Sequence, residues 1–252
     1  MRLRLMSLTT MLLASLVAAP ALAQQSAPKP APKARTAADA LTPADSPNPY
    51  SRRTFLGRGK DKNIEVVFLG DSITEFWQHK GKEVWEKYYT KYNAANFGVS
   101  SERTEHTLGH LAGGVLDAPR PKVVVILIGT NNIGNSPVDK PEWAAAGVKK
   151  IVETVHKKLP QTKVLLLGVL PRDKKNSGSR KAIEQINAII SKLDDGKKTR
   201  YLDLGPKFLD ENGEIPKEIM PDGLHPEIKG YEIWAESMQP LLDEMMAAPE
   251  KR

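Results

Sequence analysis

Continuous apolar runs of strand length alternate along the chain with longer segments whose apolar positions recur every three or four residues. The runs cover residues 64–69, 94–97, 123–128, 164–169 and 201–204. Runs that are apolar throughout, rather than at every second position, suit strands of a parallel sheet covered on both faces. Helical spacing covers 83–92, 104–111, 141–159, 180–193 and 228–246. The clearest of these opens on Pro141, which suits a first helical turn, and continues through Trp143, Ala146, Val148, Ile151, Val152 and Val155. The alternation predicts a doubly wound three-layer α/β/α sandwich around a five-stranded parallel sheet. Ligands of such sheets gather beyond the carboxyl ends of the strands. The residues that matter should therefore follow positions 69, 97, 128 and 169, or lie in the loop before the last helix.

The ends of the chain change this picture. Arg2 and Arg4 precede an apolar stretch from Met11 to Leu22, and Ala21-Leu22-Ala23 fits a small-residue cleavage site. Residues 1–23 are thus expected to be an export signal, placing the mature protein in the periplasm or outside the cell. Residues 24–51 are mostly Ala, Pro, Ser and Lys, with almost no large apolar side chain, and are expected to be a flexible tether. The catalytic domain would then span 52–248. No later run is long enough to span a membrane, and the absence of cysteine excludes disulfides, thiolate metal sites and a lipid-anchoring cysteine. The formal charge of +7 shrinks once residues 1–51 are set aside, because 32 basic against 28 acidic residues remain. The lysine pairs are scattered without interleaved aromatics, so no nucleic-acid partner is expected. Oligomeric state has no signature in the sequence.

Four polar segments fall where the topology puts a ligand. Gly70-Asp71-Ser72 follows the first strand; Ser72 is either a simple helix cap or a hydroxyl presented at a strand-to-helix turn. Gly98 ends the second strand, where it either makes a tight turn or lets its N–H approach a substrate oxygen. Gly129-Thr130-Asn131-Asn132 follows the third strand and reads as Asx-turns or as an amide donor. Asp222-Gly223-Leu224-His225-Pro226 precedes the last helix. An Asp three residues ahead of a His can fix the ring tautomer and leave Nε2 free to take a proton.

These four segments resemble, in order and placement, the four sequence blocks of the SGNH (GDSL-type) hydrolase superfamily, from Ile64 to Trp234. The phrases Asn-Phe-Gly-Val-Ser-Ser-Glu-Arg-Thr and Ile-Gly-Thr-Asn-Asn-Ile-Gly are similar to the branch that holds platelet-activating-factor acetylhydrolase catalytic subunits. The resemblance implies the flavodoxin-like fold of that superfamily and a serine esterase without a cofactor or metal. It makes Ser72 the nucleophile, His225 its base, Asp222 the residue that orients the base, and Gly98 and Asn131 oxyanion donors. Two positions depart from the family pattern: Ile73 stands where the eponymous motif has Leu, and Asn132 where many members have Asp.

Around this set, Asp71, Arg103 and Asn132 are candidate substrate contacts, although Asp71 also reads as the residue that sets the turn. Arg103 and Glu102 read equally as salt-bridge partners. His106 and His110 stand four apart, as zinc ligands can, yet lack the Glu and third ligand of a metalloprotease site. His79 and His156 read as surface residues, and Trp77 as core or pocket mouth. The expected substrate is a small-molecule or carbohydrate ester with a short acyl group, acetyl above all. A phospholipid-type ester is the alternative, and a non-catalytic glycan-binding module is the reading from another class.

Overall fold

The computed structural model describes residues 34–48 and 61–247. The expected signal and the stretches 24–33 and 49–51 of the expected tether lie outside these residues. Five strands form one wholly parallel sheet: β1 (Val66–Gly70), β2 (Ala95–Gly98), β3 (Val123–Leu127), β4 (Lys163–Leu167) and β5 (Thr199–Leu202), in the order β2-β1-β3-β4-β5. Alternate residues of each apolar run serve opposite faces, as the two-residue repeat of a strand requires. Val67, Leu69, Val124, Ile126, Val164 and Leu166 pack under α4 (Thr104–Ala112), α6 (Pro141–Lys158) and α7 (Gly178–Ile190). Phe68, Val125, Leu127, Leu165 and Leu167 pack under α3 (Lys82–Tyr88) and α8 (Ile228–Ala247). Each such side chain, fully buried, contributes roughly 1.5–3 kcal/mol.

The second face is aromatic. The Trp77 ring lies tilted 4.4 Å from that of Tyr231 and edge-on 5.1 Å from that of Trp234, and Phe68 lies 4.8 Å from Trp85. Trp77 is therefore a core residue, only 1% exposed. The Tyr231 hydroxyl donates to the Ile73 carbonyl at 2.8 Å, which ties the last helix to α2 (Ser72–Glu75), the short helix after β1.

β1 is the strand from which the order turns, since β2 lies on one side of it and β3 on the other. Gly70 stands in register with Gly98 on one flank and Leu127 on the other. Three strand ends thus finish level, at the place where parallel α/β sheets hold ligands.

The expected tether is corrected over residues 34–48. α1 (Ala37–Leu41) lies against α4 and α6, with Ala40 fully buried. The Ala44 N–H donates to the Glu105 carbonyl at 3.0 Å, and Thr104 Oγ1 donates to the Ala40 carbonyl at 3.1 Å. A side chain at position 109 would run into the Ala44 backbone, so Gly109 is what allows the segment to lie this close. Composition misled because docking here uses small residues, backbone hydrogen bonds and one arginine rather than large apolar side chains.

Candidate active site

Asp71 caps α2, its carboxylate accepting the Ile73 N–H at 3.0 Å, and this turn sets Ser72 on the first residue of the helix. Ser72 Oγ lies 2.9 Å from His225 Nε2, and His225 Nδ1 lies 2.7 Å from Asp222 Oδ2. Asp222 Oδ1 accepts the backbone N–H groups of Leu224 at 2.9 Å and His225 at 2.8 Å. One carboxylate therefore holds both the loop and the ring. Burial alone would raise the Asp222 carboxyl, but the hydrogen bonds from the His225 backbone, the His225 ring and the Leu224 backbone hold it below the usual carboxylate range. An ionised Asp222 only accepts, so the proton of the neutral ring sits on Nδ1 and Nε2 is free to accept from Ser72. Sequences four strands apart have been brought into one hydrogen-bonded line.

The loop behind His225 is braced from β4. The Asp173 N–H donates to the Gly223 carbonyl at 2.8 Å. Buried Arg180 in turn donates to the carbonyls of Asp173 and Gly213, both at 3.2 Å, and of Arg172 at 3.3 Å. Phe76 lies under the His225 ring with 5.1 Å between centroids. None of Phe76, Arg172 or Arg180 stood out in the sequence, although Pro171-Arg172-Asp173 follows a strand end that the topology marks for inspection.

Gly98 and Asn131 flank Ser72 at the neighbouring strand ends. A Cβ at 98 would press on the Thr74–Glu75 peptide, so the close approach of β2 to α2 already requires glycine there. Its N–H donates to Asn96 Oδ1 at 2.8 Å, and Asn96 Nδ2 donates to the Thr74 carbonyl at 2.7 Å. Asn131 sits in α5 (Thr130–Gly134), a short helix that the apolar pattern did not mark. Its Nδ2 donates to the Glu102 carbonyl at 2.9 Å, while its Oδ1 accepts from Asn135 Nδ2 at 3.1 Å.

The three expected substrate contacts are placed differently. Asn132 is 0% exposed; its Nδ2 lies within hydrogen-bond range of Asp139, Thr104 and Glu105, and its Oδ1 accepts the Thr104 N–H. Arg103 is buried and donates to the carbonyls of Asn135 and Pro137 at 2.7 and 2.9 Å. Asp71 is buried under its own helix cap. All three serve the protein's own groups, and Asn in place of Asp at 132 suits a position ringed by carboxylates. His106 and His110 do not converge: the first accepts the Arg103 N–H at 3.0 Å, the second pairs with Glu102 at 2.6 Å. His79 is exposed, whereas His156 is half-buried with Nε2 2.8 Å from Thr199 Oγ1.

Asp71 has a measurable consequence. Burial pushes its carboxyl up, with Glu102 nearby adding to this and the Ile73 N–H and Arg172 opposing it, so that it titrates at about 7. An unfolded Asp titrates near 3.9. Between about pH 4 and 7 the native state thus binds more protons than the unfolded chain. The favourable contribution of this group is full in acid and lost as pH rises through 7. Asp71→Asn keeps the cap acceptor and removes the titration. Its stability relative to wild type, followed by urea unfolding, should climb between pH 4.5 and 8 by on the order of 2–4 kcal/mol. A difference that does not change with pH would contradict this assignment.

The chain belongs to the GDSL-like lipase/acylhydrolase family, whose model matches residues 68–233, and it is accordingly a carboxylic ester hydrolase. Among curated relatives, the human platelet-activating factor acetylhydrolase IB subunit alpha1 is 34% identical over 194 residues, covering 77% of this chain and 81% of that one. The rat alpha2 subunit is 31% identical over 195 residues, covering 77% and 82%. The fold is shared with a GDSL-like lipase from Bacteroides thetaiotaomicron (TM-score 0.64, 20% identity, 77% of this chain and 97% of that one). It is shared too with an acetylxylan esterase from Geobacillus stearothermophilus (TM-score 0.58, 16% identity, 77% and 99%). Among the described residues, no helix is long and apolar enough to cross a membrane.

Proposed function

We propose that this chain is an exported serine esterase that removes short acyl groups, acetyl foremost, from carbohydrate. The observation that carries the reading is the line Ser72 Oγ–His225 Nε2–Asp222 at the end of β1, with separations of 2.9 and 2.7 Å. His225 takes the Ser72 proton as Oγ attacks the ester carbonyl. The oxyanion is met by the Asn131 amide, by the Ser72 N–H and by the Gly98 N–H, which Asn96 must share. The Ser72 N–H belongs to the first turn of α2, where a helix leaves its own donors unused. His225 then protonates the leaving alcohol, and water, deprotonated by the same ring, releases the acid.

Acetyl is supported by the relatives at 31–34% identity, both named for acetyl hydrolysis. The carbohydrate part is supported by the openness of the base side of the site, where the Asp222 side chain is 52% exposed. Export rests on the sequence pattern of residues 1–23.

The test is hydrolysis of p-nitrophenyl acetate, butyrate and octanoate, followed by an acetylated xylooligosaccharide against a 2-acetyl glycerophospholipid. Acetate should be cleaved fastest, and the sugar ester faster than the phospholipid. The protein recovered from outside the cytoplasm should begin at Gln24 by intact mass. Preference for octanoate would sink the short-acyl reading, and preference for the phospholipid would move the alcohol part to lipid. Failure on every ester, with no labelling by a fluorophosphonate, would leave the glycan-binding module.

A further inference from the structure

Behind the oxyanion side of the site lie two buried carboxylates. Glu105 is 3% and Asp139 5% exposed, and both face Asn132, whose Nδ2 donates to Asp139 Oδ2 at 2.7 Å and to Glu105 Oε2 at 3.3 Å. Two like charges in a dry place repel each other, and each lacks the water that would solvate it. The cation that bridges them comes from the segment the sequence marks as a tether. Arg35 Nη2 lies 2.7 Å from Glu105 Oε1 and 3.2 Å from Asp139 Oδ2, while its Nε pairs with Asp139 Oδ1. Arg103 also lies within electrostatic range of both carboxylates, but its hydrogen bonds go to the Asn135 and Pro137 carbonyls. α1, capped by the reciprocal Thr36–Asp39 pair, holds the arginine in place from the next residue on.

We propose that Arg35 is a positioning residue for the oxyanion donor Asn131. Its fork bridges Glu105 and Asp139, offsets their mutual repulsion, and so keeps both available as acceptors for Asn132. Asn132 is the next residue to Asn131 in α5, and both asparagines are pinned to the same loop. Asn131 donates to the Glu102 carbonyl, and Asn132 accepts from the Thr104 N–H. Without Arg35 the two carboxylates repel each other unbridged and turn apart. That movement withdraws acceptors from Asn132 and lets α5 drift, and a displacement of about 1 Å at a reacting group can lower a rate by about 100-fold. Residues 34–48 are then part of the catalytic domain rather than a spacer before it.

This inference rests on the serine mechanism proposed above. Its test uses the full chain with Arg35→Met, Arg35→Lys and the pair Arg35→Met/Asp139→Asn. The readouts are kcat and KM on p-nitrophenyl acetate per active site titrated with a fluorophosphonate, with Tm beside them. Arg35→Met should lower kcat by about tenfold or more with KM within about twofold, because ground-state binding is untouched. Arg35→Lys should fall between, since an ammonium cannot bridge two carboxylates as a planar fork does. The pair should recover most of the loss: with a neutral side chain at 139 the like-charge repulsion is gone, and the Asn side-chain oxygen can still accept from Asn132. Unchanged kcat per titrated site in Arg35→Met, whatever its Tm, overturns the proposal by reducing the contact to a structural one. Should Arg35→Met fail to fold, Arg35→Lys decides: a several-fold loss of kcat at constant KM supports the proposal, and an unchanged kcat overturns it. An inactive wild type would instead remove the serine reading itself.

Discussion

Ser72→Ala is expected to lower kcat on p-nitrophenyl acetate by on the order of 10⁴–10⁶-fold, and His225→Ala by a similar factor. The double variant should be hardly worse than either. This non-additivity follows from the geometry, because Ser72 Oγ and Nε2 of His225 share one hydrogen bond of 2.9 Å. A serine without its base is a neutral alcohol, and a base without its serine has nothing to activate. Neither change should unfold the protein. Ser72 begins a helix, where alanine is well tolerated, and its cap comes from Asp71 rather than from its own side chain. In His225→Ala the Asp222 carboxylate still accepts the backbone N–H groups at 224 and 225, so the loop keeps its main anchor. Fluorophosphonate labelling should vanish in Ser72→Ala. If that variant kept a tenth of wild-type activity, the nucleophile would have to lie elsewhere.

How far the sequence carried depended on where apolar bulk ran out. β1 and β3 are uninterrupted runs of buried Val, Ile, Leu and Phe, and their expected and observed positions agree to within two residues. β5 lies two residues earlier than its run suggested. It is one edge of the sheet, paired only with β4, so polar Thr199 and Arg200 can belong to it while Leu204 packs beyond its end. α5 was hidden because its buried residues include Thr130, Asn131 and Asn132, which cannot produce an apolar stripe. The docked segment around Arg35 was hidden for the related reason that alanines and one bridging arginine leave no hydrophobic signature. In the site, Ser72, Asp222 and His225 stand in short motifs that the sequence marked, and the structure brings them into one line, whereas Asp71, Arg103 and Asn132, read as substrate contacts, serve the protein's own groups. The residues that hold them, such as Asn96, Arg172 and Arg180, act through backbone carbonyls or through the side chains of distant segments. No spacing in one sequence encodes those partners.

Asn131→Ala is expected to lower kcat by about 10²–10³-fold with KM changed by no more than a few-fold, as for loss of one oxyanion donor. The amide has two N–H bonds. One is committed to the Glu102 carbonyl at 2.9 Å, and the Asn135 amide fixes the opposite end of the group through Oδ1. The second N–H is thereby aimed without needing to reorganise when negative charge develops on the substrate. Gly98 is less well placed for this, since its N–H already donates to Asn96 Oδ1 at 2.8 Å. Asn131 should therefore carry more of the transition-state stabilisation than Gly98. Truncation also leaves the buried Glu102 carbonyl short of a donor, at about 1–3 kcal/mol of stability, so kcat must be read well below the Tm of the variant. Asn131→Asp separates shape from donation. It preserves size but presents a charged acceptor to the forming oxyanion, and should be at least as slow as the alanine variant. If KM rises while kcat holds in both variants, Asn131 binds the ground state instead, and the oxyanion must be met by the backbone N–H groups of Ser72 and Gly98.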